Sequence, residues 1–193
     1  MRNIVARLCM TEDSIVDRPE RWLARTDQLL TGTETVLLGR NTYEQYAGSL
    51  AGLDHCRKLV IASRPVIARP NTEILQGDLR RILSALKQVP GADLQVVGSL
   101  TLIRSLLRWR LIDEVSLLIH PVAARRGILL DRSNLRLISM CARDAGLLEA
   151  SYRMHYAATA APSNSLASTG RWGGTRSSAS VARLPRPAAR THA

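Results

Sequence analysis

No run of ~18 or more apolar residues occurs in this chain, so no segment reads as a helix long enough to cross a bilayer. The first residues, Met1-Arg2-Asn3-Ile4-Val5-Ala6-Arg7, offer an apolar stretch too short for a secretory signal, and Arg7 breaks it. The expectation is a cytoplasmic protein with no membrane partner. Cysteine is scarce as well. Cys9, Cys56 and Cys141 are odd in number and far apart, which argues against a disulfide framework and gives no metal-ligand spacing. They are expected to be free thiols in or near the core, with no metal site. No Ser/His/Asp order of a hydrolytic triad competes for attention.

Also lacking is a dense Lys/Arg block with interleaved aromatics, although the formal net charge is +11. Five of those charges belong to Arg171, Arg176, Arg183, Arg186 and Arg190, in a C-terminal stretch without an acid. The rest of the excess is spread among 16 acidic residues. Such a distribution does not suggest a nucleic-acid face, and no nucleic-acid partner is expected.

What is present is a globular composition, 46% apolar over 193 residues, which suits one domain with one sizeable core. The character changes after Tyr156. Residues 157–193 are Ala, Ser, Gly, Pro, Thr and Arg with few large apolar side chains, too few to build a core. The expected organisation is a domain over 1–156 and a disordered basic tail over 157–193.

The chain is organised around Leu94 to Leu107. Leu94-Gln95-Val96-Val97 reads as a short buried strand, broken at Gly98-Ser99. Leu102, Ile103, Leu106 and Leu107 then form the inner stripe of a helix. A tight glycine turn at a helix N-terminus leaves N–H groups that favour phosphate. Thr35-Val36-Leu37-Leu38 followed by Gly39-Arg40-Asn41-Thr42 reads as a second junction of this type. Further strands are expected within Met1–Met10, at Cys56–Ala62, Thr72–Leu75, Val115–Ile119, Gly127–Leu130, Leu135–Met140 and Leu147–Tyr156. Helices are expected from Pro19 to Leu30 and, capped by Asp78, from Leu79 to Gln88. Early strands alternate with helices and are continuously apolar, while late strands follow one another. That pattern implies an α/β fold: a mostly parallel central sheet in three layers, with an antiparallel C-terminal edge and helices on both faces.

Three segments together resemble a known family. Val36-Leu37-Leu38-Gly39-Arg40-Asn41-Thr42-Tyr43-Glu44 is similar to the LLGRxTYE segment of the dihydrofolate-reductase-like superfamily. Leu94–Leu107 resembles its second glycine junction, and Leu111–Val122 resembles its LxDExxLxxxPV strand. In this order they point to the branch formed by the C-terminal reductase domain of bacterial riboflavin biosynthesis and its stand-alone relatives. The resemblance covers Met1 to Tyr156 and leaves the tail outside. It implies bound NADPH, hydride transfer to a small pyrimidine- or pterin-like heterocycle, and a homodimer. Carried onto this chain, it places Gly39, Arg40 and Thr42 near the adenosine-side phosphates. It places Ser63 and Arg64 at the 2′-phosphate, and Gly98, Ser99, Leu100 and Thr101 at the pyrophosphate. The chemistry agrees, because guanidinium groups hold phosphate as bidentate forks and glycine admits close backbone approach.

The departures concern the reacting end. The family's SLDG loop reads Thr11-Glu12-Asp13-Ser14 here, which keeps the acid at Asp13 and replaces the glycine by Ser14. Asp13 is the candidate catalytic residue, as orienter or proton-relay member, and Trp22 is read as a core tryptophan, with a pocket wall as the alternative. Riboflavin-pathway reductases carry a glutamate shortly before the second junction, and Val96 is taken as its counterpart. No equivalent of the dihydrofolate-reductase carboxylate is found. Asp113-Glu114 is read as a structural turn and His120 as a structural histidine. The competing expectation is a nucleotide-binding protein of this fold without efficient catalysis.

Overall fold

The computed structural model describes residues 1–16, 33–46, 53–124, 128 and 130–156. The expected helix from Pro19 to Leu30, with Trp22, and the expected tail from 157 onward lie outside them. Eight strands form one sheet: β1 (Ile4–Thr11), β2 (Thr35–Gly39), β3 (Arg57–Ile61), β4 (Thr72–Leu75), β5 (Leu94–Val97), β6 (Glu114–His120), β7 (Leu135–Ala142) and β8 (Leu148–Met154). Their order is β4-β3-β2-β5-β1-β6-β8-β7. Every pairing from β4 to β6 is parallel, and β8 then pairs antiparallel with β6 and with β7. The chain therefore has the expected mostly parallel sheet with an antiparallel C-terminal edge.

The central strands are largely apolar because both of their faces are covered, with Arg7 of β1 and Gln95 of β5 as polar exceptions. Ile4, Ala6, Leu8, Leu37, Leu94, Val96, Ile112 and Leu117 belong to one core cluster. Val36, Leu38, Val60, Ala62 and Val97 belong to another. Successive residues of a strand go to opposite faces, so Leu37 and Leu38 divide between the two clusters. Helix α1 (Arg40–Tyr46) contributes the buried Tyr43 to the second cluster. Helices α2 (Leu79–Gln88) and α3 (Leu100–Arg108) contribute Leu83, Leu102, Ile103 and Leu106 to the first. Helices thus lie on both faces. Asp78 caps α2 as expected, accepting a 3.1 Å hydrogen bond from the Arg81 amide.

Two details differ from the expectation. Ile128 and Leu130 are not in a strand; the Leu130 amide instead donates to the Ser14 carbonyl and the Val16 amide to the Ile128 carbonyl. The β7 strand runs on to Ala142, carried past Leu137 by a register shift against β8.

Asp113-Glu114 stands at the N-terminal end of β6 and is structural. The Asp113 carboxylate accepts hydrogen bonds from Lys87 Nζ at 2.6 Å and from the Ile4 amide at 2.8 Å. It fastens the end of α2 to the starts of β1 and β6, at the opposite edge of the sheet from the glycine junctions.

Candidate functional site

The site follows from one short strand between two longer ones. β5 has four residues. β1 pairs with it only through Ile4–Arg7 and continues as Leu8–Thr11 beside β6. β2 pairs with it through Thr35–Leu37, which sets Leu38 level with Val97 and Gly39 beyond the end of β5. A recess therefore opens over the carboxyl end of β5. The chain leaving β2 goes to β3 on one side, and the chain leaving β5 goes to β6 on the other. Neighbouring strands whose connections diverge in this way form a topological switch point, where open α/β sheets bind their ligands.

Two glycine junctions meet at that point. Gly98 and Ser99 are both left-handed, with φ of 59° and 50°. The serine takes this conformation at a steric cost of roughly 1–2 kcal/mol, which glycine would not incur. Ser99 is the N-cap of α3, but its side chain makes no capping hydrogen bond, so the hydroxyl does not occupy the first amides of the helix. A Cβ at Gly39 would stand 2.0 Å from Ser99 Oγ and 3.0 Å from Ser99 Cβ. Glycine at 39 is thus a contact requirement: it lets the end of β2 close on the turn after β5.

The recess is a cavity of about 430 Å³, within the ordinary range for small-ligand sites. It brings together Gly39, Arg40, Thr42, Gly98, Ser99, Leu100 and Thr101, all singled out from the sequence. It also takes in Arg7, Cys9, Asn41, Ile61, Leu79, Ser105 and Trp109, which were not. Arg7 and Cys9, two residues apart, share one face of a strand that reads as plain core; Arg7 stands opposite Val97 at the end of β5, and Cys9 lies where β1 outruns β5. Ile61 and Leu79 come from elements that no junction motif marks.

Three expected site residues are not among those lining the cavity. Ser63 and Arg64 are exposed beyond the end of β3, on the same carboxyl edge of the sheet. Asp13 lies in the loop after β1, where its Oδ1 accepts hydrogen bonds from the Thr11 hydroxyl at 2.5 Å and the Ala124 amide at 3.1 Å. That carboxylate joins the ends of the β1 and β6 segments. Ser14 has φ of 64°, so this loop keeps a left-handed, glycine-like conformation without the glycine. Val96 is fully buried in the core, so its position presents nothing to a ligand.

The charge in the cavity is cationic. Arg7 Nε donates to Gln95 Oε1 at 2.8 Å, and its NH1 lies 3.8 Å from Glu149. Burial pushes the Arg7 pKa down from its ordinary value, and Glu149 opposes that shift. Arg40 pairs with Glu44 one turn along α1, at 2.8 Å, with both side chains about a third or more exposed. Among the described lining residues none is Asp or Glu. Cations, uncapped helix amides and glycine turns make a cradle for phosphate and leave the cavity without a carboxylic acid of its own.

Comparison with known proteins agrees with this architecture. The family model of the RibD C-terminal domain matches residues 10–124. No curated protein matches the chain in sequence. Among solved structures, one similar fold is a protein of Shewanella sp. PV-4 described as a riboflavin biosynthesis protein. It has a TM-score of 0.62 and 16% identity over 80% of this chain and 99% of that one. Another is dihydrofolate reductase from Enterococcus faecalis, solved with NADP(H) and RAB-propyl. It has a TM-score of 0.59 and 15% identity over 79% of this chain and 96% of that one.

Proposed function

This chain belongs to the RibD C-terminal domain family, and from that premise we propose that it is an NADPH-dependent reductase of a small pyrimidine- or pterin-like heterocycle. The observation that carries the reading is the meeting of the two glycine junctions over β5, with Gly39 closed on Ser99. The residues present suit the cofactor. Gly98, Ser99, Leu100 and Thr101 would hold the pyrophosphate on unpaired amides, and Gly39, Arg40 and Thr42 would face the adenosine-side phosphates. Ser63 and Arg64, exposed on the same edge of the sheet, would meet a 2′-phosphate outside the cavity. Bound NADPH supplies the hydride, and the chain positions the acceptor and keeps water away. Trp109, Leu79 and Leu102 give the cavity its apolar wall.

One observation favours a second reading, nucleotide binding without efficient catalysis. Asp13 is committed to Thr11 and Ala124, and no described lining residue is a carboxylic acid. Titration with NADPH and with NADH, followed by nicotinamide fluorescence, tests the first step. Preference for NADPH is expected, and no binding of either at high micromolar concentration refutes both readings. Oxidation of bound NADPH across a panel of pterins, pyrimidines and quinones supports the reductase, and binding without turnover supports the alternative.

The proposal includes a cytoplasmic location and a second copy of the chain as partner. The support for the homodimer is β7, an edge strand whose Leu137, Ile138 and Met140 are each about half exposed.

A further inference from the structure

Cys9 and His120 come from neighbouring parallel strands. In the β1–β6 register Cys9 stands opposite Leu118 and Thr11 opposite His120. The two side chains meet diagonally, with Cys9 Sγ 3.1 Å from His120 Nε2. Cys9 is buried from bulk solvent but belongs to the cavity wall, on the part of β1 that outruns β5. A thiol in an apolar wall is ordinarily inert, because burial holds it protonated. An imidazole nitrogen within hydrogen-bond reach changes that: it can accept the thiol proton as sulfur attacks, which is the arrangement of an activated cysteine.

The other two cysteines show the contrast. Cys56 is fully buried, its Sγ donates to the Thr33 carbonyl, and burial pushes its thiol pKa up. Cys141 is exposed on β7, outside the cavity. Cys9 alone of the three combines a histidine partner with a position on a cavity.

We infer that Cys9 and His120 form a nucleophilic thiol site that takes a soft electrophile, an α,β-unsaturated carbonyl compound, from the cavity. The step is a conjugate addition. Sγ forms a bond to the β-carbon as the carbon–carbon double bond opens. The thiol proton passes to His120 Nε2 and then to the α-carbon. Nothing is oxidised or reduced, and no further reactant is needed. The inference does not depend on what else the cavity binds, although an adduct at Cys9 would fill part of the same space.

N-ethylmaleimide is a probe of this chemical class. The Cys141→Ser protein is treated with it, and labelling of Cys9 and Cys56 is followed over time by mass spectrometry of the digested chain. Cys9 is expected to react faster than Cys56 by a factor on the order of ten or more. His120→Gln, which keeps a polar side chain but not the base, is expected to slow Cys9 by about a hundredfold and leave Cys56 unchanged. The Cys56 rate is also the folding control, because an unfolded variant would label both thiols quickly. A histidine variant that labels this way is replaced by His120→Asn, with the same expected slowing. Equal rates at Cys9 and Cys56 in the parent protein overturn the inference. So does a Cys9 rate that stays unchanged in a folded histidine variant.

Discussion

Replacing Gly39 by alanine would test whether the two glycine junctions meet as described. The added Cβ would stand 2.0 Å from Ser99 Oγ and 3.0 Å from Ser99 Cβ. The hydroxyl can rotate away, but the Ser99 Cβ moves only with the backbone, and that backbone is already left-handed at φ of 50°. Gly39 itself is not in the positive-φ region, so alanine there meets no backbone penalty and the whole cost is steric. Overpacking of this kind typically costs about 1–3 kcal/mol, and the contact with Cβ favours the middle of that range. Urea denaturation of Gly39→Ala should show a lower midpoint with an unchanged slope. Ser99→Gly removes both clashing atoms and also the left-handed serine. Combined with Gly39→Ala it should recover most of the loss, a coupling of about 1–2 kcal/mol in a double-mutant cycle. NADPH affinity should fall in Gly39→Ala, by about tenfold for each 1.4 kcal/mol lost at the binding surface. A loss below about 0.5 kcal/mol in Gly39→Ala, or no recovery in the double variant, would refute the packing of β2 against the β5–α3 turn.

Ser14→Gly should relieve a left-handed serine worth roughly 1–2 kcal/mol, offset by about 0.5–1 kcal/mol of added chain entropy, so thermal denaturation should show a small net gain. Lys87→Met leaves the Asp113 carboxylate without its cation. Because Asp113 is about a third exposed, the expected loss is about 2 kcal/mol rather than that of a fully buried pair, again read by urea denaturation. The Tyr156 hydroxyl donates to the Ile112 carbonyl at 2.8 Å, and its pKa is pushed up to about 12, first by burial and then by the nearby Asp113. The folded state therefore favours the protonated phenol. Its contribution is complete below the ordinary value of 10 and is lost as pH rises toward 12, a decline that Tyr156→Phe should remove from alkaline denaturation curves. For the proposed homodimer, Met140→Glu on β7 should shift sedimentation from dimer to monomer. A parent protein that sediments as a monomer at high micromolar concentration would refute that part of the proposal.

Much of this fold is legible in the chain because local rules and tertiary packing agree. Continuous apolar runs at Leu94–Val97 and Thr35–Leu38 read as doubly covered strands, and they are central in the sheet. Asp78 before an apolar-periodic segment reads as a cap and is one. Gly39 and Gly98-Ser99 read as junctions because glycine and a following helix stripe are local signals. In the first loop Ser14 stands where the family has glycine, and its backbone is left-handed, held by the Ser14 and Leu130 amides on the Thr11 and Ser14 carbonyls, the second a contact from far along the chain.

The sequence alone determined most of the strands and helices, the two junctions and, with the Leu111–Val122 segment, the resemblance to the family. Only the tertiary structure decided how the junctions sit with respect to each other, because Gly39 and Ser99 are sixty residues apart and meet through the placement of β5 between β2 and β1. Strand order also decided which polar side chains reach the cavity. Arg7 does so opposite Val97, the last residue of a four-residue neighbour, and Cys9 because β1 outruns that neighbour, a difference of length that no local pattern in β1 records. His120 reaches Cys9 for the same kind of reason, through a parallel register fixed by the sheet as a whole. Periodicity reports which face of an element is buried. Which partner lies across that face depends on contacts between distant parts of the chain.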